Sequence, residues 1–226
     1  MRQFSAMQSA LTCRFTFGNI LPGLPVPGTP AFAQLCRELK KFGFSAEKFS
    51  FETPTAKLSD VRVTISILED AVTLRVQYEW LELAVSTLLQ EQENSLVDII
   101  NTTLQALALL DLDVWKGKLA VQHIAHLRLD SQDPDAYVGE HLMGGDASYR
   151  PDAFAFNLVS GGDVILKHGR IVIAVSAIFP GSVFVDYVAE YPNPKFTPDM
   201  VNAIRVDYNE RLALLGLTEN KGEEKK

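Results

Sequence analysis

The sequence predicts an α+β fold in which antiparallel sheets pack against helices, and three observations carry that expectation. Several stretches alternate apolar and polar residues with period two, the pattern of a strand with one buried face. Three helix starts are marked by a capping residue followed by proline: Thr29-Pro30, Asp133-Pro134 and Thr197-Pro198. Glycine-rich pairs separate the strands of the second half, as the tight turns of antiparallel hairpins require.

Leu11, Cys13, Phe15 and Phe17 alternate with Thr12, Arg14 and Thr16, which predicts the first strand, ending at Gly18. Residues 21–30 (LPGLPVPGTP) form a loop, because each proline fixes φ and lacks a backbone donor. After Thr29-Pro30, the residues Phe32, Leu35, Cys36, Leu39 and Phe42 fall on one helical face, and Gly43 closes the helix. Strands follow at residues 48–53, 61–68 and 72–80, with Glu69-Asp70 as the turn between the last two. In the last of these, Val72, Leu74, Val76, Tyr78 and Trp80 face the core, opposite Thr73, Arg75, Gln77 and Glu79. A helix is expected from about Leu81 to Leu110, restarting at a Ser95–Asp98 capping box, with Leu96, Ile99, Ile100, Thr103, Leu104 and Leu107 on one side.

The second half opens with another one-faced strand: Leu119, Val121, His123, Ala125, Leu127 and Leu129 inward, Gln122, His126 and Arg128 toward solvent. Asp133-Pro134 starts a short helix with Tyr137, Val138, His141 and Leu142 on its apolar side, stopped by Gly144-Gly145. A meander is expected through residues 153–159, 164–167, 170–178 and 182–191, turning at Gly161-Gly162-Asp163, His168-Gly169 and Pro180-Gly181. Thr197-Pro198 starts the final helix, with Met200, Val201, Ile204, Tyr208, Leu212 and Leu215 inward, and Gly216 stops it. Residues 219–226 (ENKGEEKK) are charged, with nothing to bury, and read as a disordered tail.

The order of elements repeats. Residues 1–112 read as strand, helix, three strands and helix, and residues 113–218 as strand, short helix, three or four strands and helix. Duplication and coincidence of order both account for the match. The β-α-β(3-4)-α order resembles the unit found twice in the TATA-binding-protein-like fold, and is similar to the helix-grip order. That resemblance implies two halves joined edge to edge in one curved sheet backed by helices. It covers most of the chain through element order alone, and the family's DNA binding is not carried over, because a formal charge of −7 and scattered Lys and Arg oppose a phosphate backbone. The segment Phe49-Ser50-Phe51-Glu52-Thr53-Pro54 is similar to one in the export chaperone SecB, which implies the holding of unfolded clients. Here a helix precedes that segment and another half of the chain follows it, both departures from the chaperone.

A hydrophobic content of 47% with 22% charged residues marks a folded chain of 226 residues. Two cysteines give no disulfide framework. The start lacks an apolar signal core and no uninterrupted apolar run reaches about 20 residues, so a cytoplasmic protein with no membrane contact is expected. His123 and His126, three apart in a strand, point to opposite faces and cannot share a metal; no metal and no cofactor are expected. The Gly144-Gly145-Asp146 and Ser160-Gly161-Gly162-Asp163 runs read as turns, since a phosphate cradle sits at a helix N-terminus after a parallel strand. No nucleophile-elbow or Walker sequence occurs. Asp186 shares a strand face with Phe184 and Val188, where a carboxylate among apolar neighbours can have a raised pKa. With His123 and Tyr187 it makes the candidate ligand-binding set. The leading expectation is a non-catalytic binding or assembly protein that offers a sheet face or edge to a protein partner or to its own copy. The alternative is a small-molecule-binding protein or enzyme with a pocket between sheet and long helix, and a client-holding chaperone stands third.

Overall fold

The computed structural model describes residues 2–53, 57, 60–86, 93–110, 117–130, 133–142, 153–158, 168–191 and 197–219. In chain order these form β1 (Arg2–Thr16), α1 (Pro30–Leu39), β2 (Phe49–Glu52), β3 (Arg62–Ile67), β4 (Val72–Val76), β5 (Trp80–Val85), α2 (Glu93–Ala108), β6 (Lys118–Leu129), α3 (Pro134–Leu142), β7 (Ala153–Leu158), β8 (His168–Val175), β9 (Ser182–Tyr191), α4 (Pro198–Leu214) and β10 (Leu217–Glu219). The protein is therefore mixed α/β with an antiparallel sheet, in the order β2-β3-β4-β5-β1-β6-β9-β8-β7. The exception is β10, which runs parallel to the start of β1, Arg2 opposite Leu217 and Phe4 opposite Glu219. No described helix is long and apolar enough to cross a membrane.

The chain divides into two compact units, the first comprising Leu11–Val121 with Glu190–Val201, the second Met1–Ala10, Gln122–Ala189 and Asn202–Lys226. In the first, alternation buries Val63, Ile65 and Ile67 of β3 and Val72, Leu74 and Val76 of β4, and Leu81, Leu83 and Val85 of β5 are buried as well. Leu35 and Leu39 of α1 and Leu96, Ile99, Ile100, Leu104 and Leu107 of α2 are equally buried. Each such side chain contributes about 1.5–3 kcal/mol by leaving water. Thr29 caps α1 as expected, its Oγ1 accepting from the Phe32 amide at 3.2 Å. Gly43 follows with φ of 80°, a left-handed conformation that suits glycine.

The expected helix start at Leu81 is corrected. Residues 80–89 (WLELAVSTLL) fit period two through Leu81, Leu83 and Val85 as well as a helical period, and pairing decides between them. Both flanks of β5 are taken, Leu83 lying opposite Leu74 on β4 and opposite Cys13 on β1. α2 then begins at Glu93, so Ser95 lies inside its first turn and marks the start of the helix rather than a restart. The strand expected to reach Trp80 ends at Val76, and the Gln77 amide donates to the Trp80 carbonyl across the next turn.

The β3–β4 turn holds Leu68, Glu69 and Asp70 at φ of 50°, 56° and 70°. Three consecutive non-glycine residues in the left-handed region are costly. The turn is tied by the Leu68 amide to the Phe42 carbonyl and by Lys48 to both Asp70 oxygens at 2.7 Å. Glu69 is exposed. Glu69→Gly is therefore expected to stabilise the protein by about 0.5–1 kcal/mol, the relief of strain exceeding glycine's added chain entropy; a thermal melt that moves downward would contradict the strain argument.

In the second unit, β1 extends back to Arg2, which the sequence did not indicate. Ser5, Ala6, Met7 and Gln8 are all exposed and only Phe4 nearby is buried, so no apolar alternation exists to be read. β10 was likewise unforeseen, and Glu219, assigned to the tail, pairs with Phe4. Asp133 starts α3 as expected, its Oδ1 accepting from the Asp135 amide at 3.3 Å, and Tyr137 and Val138 are buried. β8 begins at His168, where a turn was expected, and ends at Val175. The expected turns at 144–145 and 161–163 and the strand at 164–167 lie outside the described residues.

Candidate functional site

Alternation along β9 buries Val185, Tyr187 and Ala189 and leaves Phe184, Asp186 and Val188 half-buried on the other side. The candidate residues therefore separate. Asp186 Oδ1 accepts from Gln122 Nε2 of β6 at 2.8 Å, and its Oδ2 lies 3.7 Å from Arg170 Nη2 of β8. The carboxylate set among apolar neighbours is thus held by one amide and one guanidinium on adjacent strands.

Tyr187 and His123 meet instead around α4. Helical spacing of three and four residues puts Ile204, Asp207, Tyr208 and Leu212 on one buried face. The Tyr187 hydroxyl donates to Asp207 Oδ2 at 2.7 Å, while Arg211 donates from Nε and Nη2 to Oδ1 at 3.2 and 3.1 Å. The Tyr208 ring stands edge-on to Tyr187 at 5.5 Å and tilts against the His123 ring at 4.3 Å. Both Asp207 oxygens are engaged, and the group ties α4 to β6 and β9. Sequence reading missed Asp207 and Arg211, although their separation of four on an amphipathic helix is the spacing of an ion pair.

Burial pushes His123 down to about 4, so its ring is neutral at pH 7. The unfolded chain takes up a proton near pH 6.5 and the native ring does not until about 4. Stability is therefore full above pH 6.5 and falls as pH drops through that interval, by about 3 kcal/mol at most. His123→Phe is expected to flatten the dependence; denaturant midpoints at pH 7, 5.5 and 4.5 that fall equally in both proteins would refute this.

His126 corrects the expectation that it faces solvent. It is 7% exposed, packed against Phe179 and Phe184 with centroids 5.0 and 5.3 Å away. Its Nδ1 lies 2.9 Å from Ser176 Oγ, which also accepts from the Ile178 and Phe179 amides at 3.3 and 2.9 Å. The Ser176 hydroxyl thus links the His126 ring to the backbone of residues 178 and 179. The pair closes the β8–β9 turn, with both side chains buried. No local signal links residues 126 and 176.

A second charged group lies in the first unit, on the sheet face away from its core. Arg14 and Arg75 are the cross-strand neighbours of Glu82 on either side. Arg14 reaches Glu82 Oε2 through Nη2 and through Nε at 2.9 Å, and Arg75 Nη1 reaches Oε1 at 2.8 Å. The Arg14 guanidinium also lies 4.7 Å over the Trp80 ring. The Glu82 side chain is 7% exposed; burial would raise its pKa, but the two guanidiniums outweigh that and lower it. Glu52 and Arg62 pair on the neighbouring strands β2 and β3, Nε to Oε2 at 2.8 Å.

Among the described residues no three histidine, cysteine or acidic side chains are placed to hold a metal ion. Burial pushes the Cys13 thiol up to about 12, which makes it inert as a nucleophile. No family model matches the sequence, and no curated protein matches it.

Proposed function

We propose that the protein is a non-catalytic binding and assembly protein that pairs through the edges of its sheet with another polypeptide, in the first instance a second copy of itself. One observation carries this reading: β2 and β7, the outermost strands in the described order, each hold a Phe-x-Phe run whose second ring is exposed. Phe51 is 50% exposed and Phe156 41%. In each case the first ring is turned to a helix aromatic, Phe49 against Phe32 of α1 at 4.9 Å and Phe154 against Tyr137 of α3 at 6.4 Å. An edge strand offers unpaired main-chain groups, and an exposed aromatic beside them supplies the apolar contact that an added strand needs.

The matched aromatics also favour duplication over coincidence as the origin of the repeated order, with each half contributing one edge. Partners recruited in this way are extended segments, which agrees with the short, exposed character of β2. Phe51→Asp and Phe156→Asp, singly and together, are the test. Light scattering and sedimentation velocity over a wide concentration range should give a mass above the monomer for the wild type and a shift toward monomer in the variants. A wild type monomeric at every concentration, or variants that associate unchanged, would remove the support for edge pairing.

A further inference from the structure

We propose that Arg14, Glu82 and Arg75 form a receptor for a single carboxylate of a partner polypeptide, on the open polar face of the first unit rather than at its edge. Glu82 takes one guanidinium on each of its oxygens and is itself nearly buried beneath them. A guanidinium carries five N–H donors in a planar fork. Glu82 uses two from Arg14 and one from Arg75, so each arginine keeps donors beyond this contact. Arg14 is half exposed and Arg75 over a third exposed.

The arrangement has one negative and two positive charges, a local excess of one positive charge held in place by a partner within the chain. Arg14 is further fixed by lying on Trp80, so little side-chain freedom remains to be lost when an anion arrives. The cross-strand neighbour of Arg75 on β3 is Thr64, and that of Thr64 on β2 is Ser50, so the row continues toward the edge without another charge. Bidentate geometry suits a planar carboxylate.

The size of the ligand follows from charge. The whole chain carries −7, and a polyanion such as a nucleic acid would meet that repulsion along its length. A lone carboxylate interacts only within about a Debye length, about 8 Å at physiological salt, where the two guanidiniums dominate. The occupant is therefore an aspartate or glutamate side chain, or a terminal carboxylate, borne by a partner protein.

The test is NMR of the arginine Nε–Hε signals of the full-length protein. The titrants are the blocked tripeptide acetyl-Gly-Glu-Gly-amide, its Gln counterpart and inorganic phosphate. The Arg14 and Arg75 signals should move and saturate with the Glu peptide and stay still with the Gln peptide. In Arg14→Gln and Arg75→Gln the affinity should drop by about tenfold or more, the loss of one charge-assisted contact, with a melt that is lowered but still cooperative, because Glu82 keeps its other guanidinium. Equal shifts with the Gln peptide, phosphate moving the signals as strongly as the Glu peptide, or unchanged affinity in folded variants would overturn the proposal. The peptide comparison on the wild type decides the matter even if a variant fails to fold.

Discussion

Asp207→Ala is expected to destabilise the protein by about 3–5 kcal/mol, the loss seen when one partner of a buried charge pair is removed. Asp207 is 7% exposed and accepts from Tyr187 on one oxygen and from Arg211 on the other. The variant leaves a guanidinium whose side chain is mostly buried and a fully buried phenol, each without this acceptor. Tyr187→Phe removes the hydrogen bond to Asp207 and leaves the Asp207–Arg211 pair in place, so it should cost about 1–2 kcal/mol. Urea midpoints measured at unchanged m-value give both numbers. A loss below about 1 kcal/mol for Asp207→Ala would mean that water reaches the cluster and that α4 is held by its apolar face alone.

Gly117→Ala is expected to cost at least about 3 kcal/mol, at or beyond the upper end of the range for forcing a methyl into a packed site. A Cβ at this position would stand 2.1 Å from the Thr16 carbonyl oxygen and 3.1 Å from its carbon. The obstruction is backbone, so no rotamer change relieves it; β6 would have to move away from the end of β1. Gly139, inside α3, has nothing within 4 Å of its would-be Cβ. Gly139→Ala should therefore raise stability by about 1 kcal/mol, the ordinary helix preference for alanine. Two identical chemical changes of opposite sign, read in one series of melts, separate close approach from propensity.

How far the fold was legible depended on whether one periodicity fitted each segment. The caps at Thr29 and Asp133 and the alternation of β3, β4 and β9 were plain because propensity, pattern and turn residues agreed there. β5 was not, since Leu81, Leu83, Ala84 and Val85 satisfy strand and helix alike, and only its two neighbours settle the matter. The first part of β1 and the whole of β10 bury too little to leave a pattern. For the candidate site, alternation placed Asp186 and Tyr187 on opposite faces, but no sequence rule joins His126 to Ser176 or Glu82 to Arg14, because strand pairing brings them together across 50 and 68 residues.

The parallel pairing of β10 with β1 has a consequence for biosynthesis. Residues 2–4 leave the ribosome well before the neighbour they hydrogen-bond, which arrives more than two hundred residues later. The unit containing both can complete its strand ladder only once residues 217–219 have been made, whereas most of the other unit has emerged by residue 121. Closing so long a loop is slow, which makes the seam between those two short segments the last part of the molecule to knit.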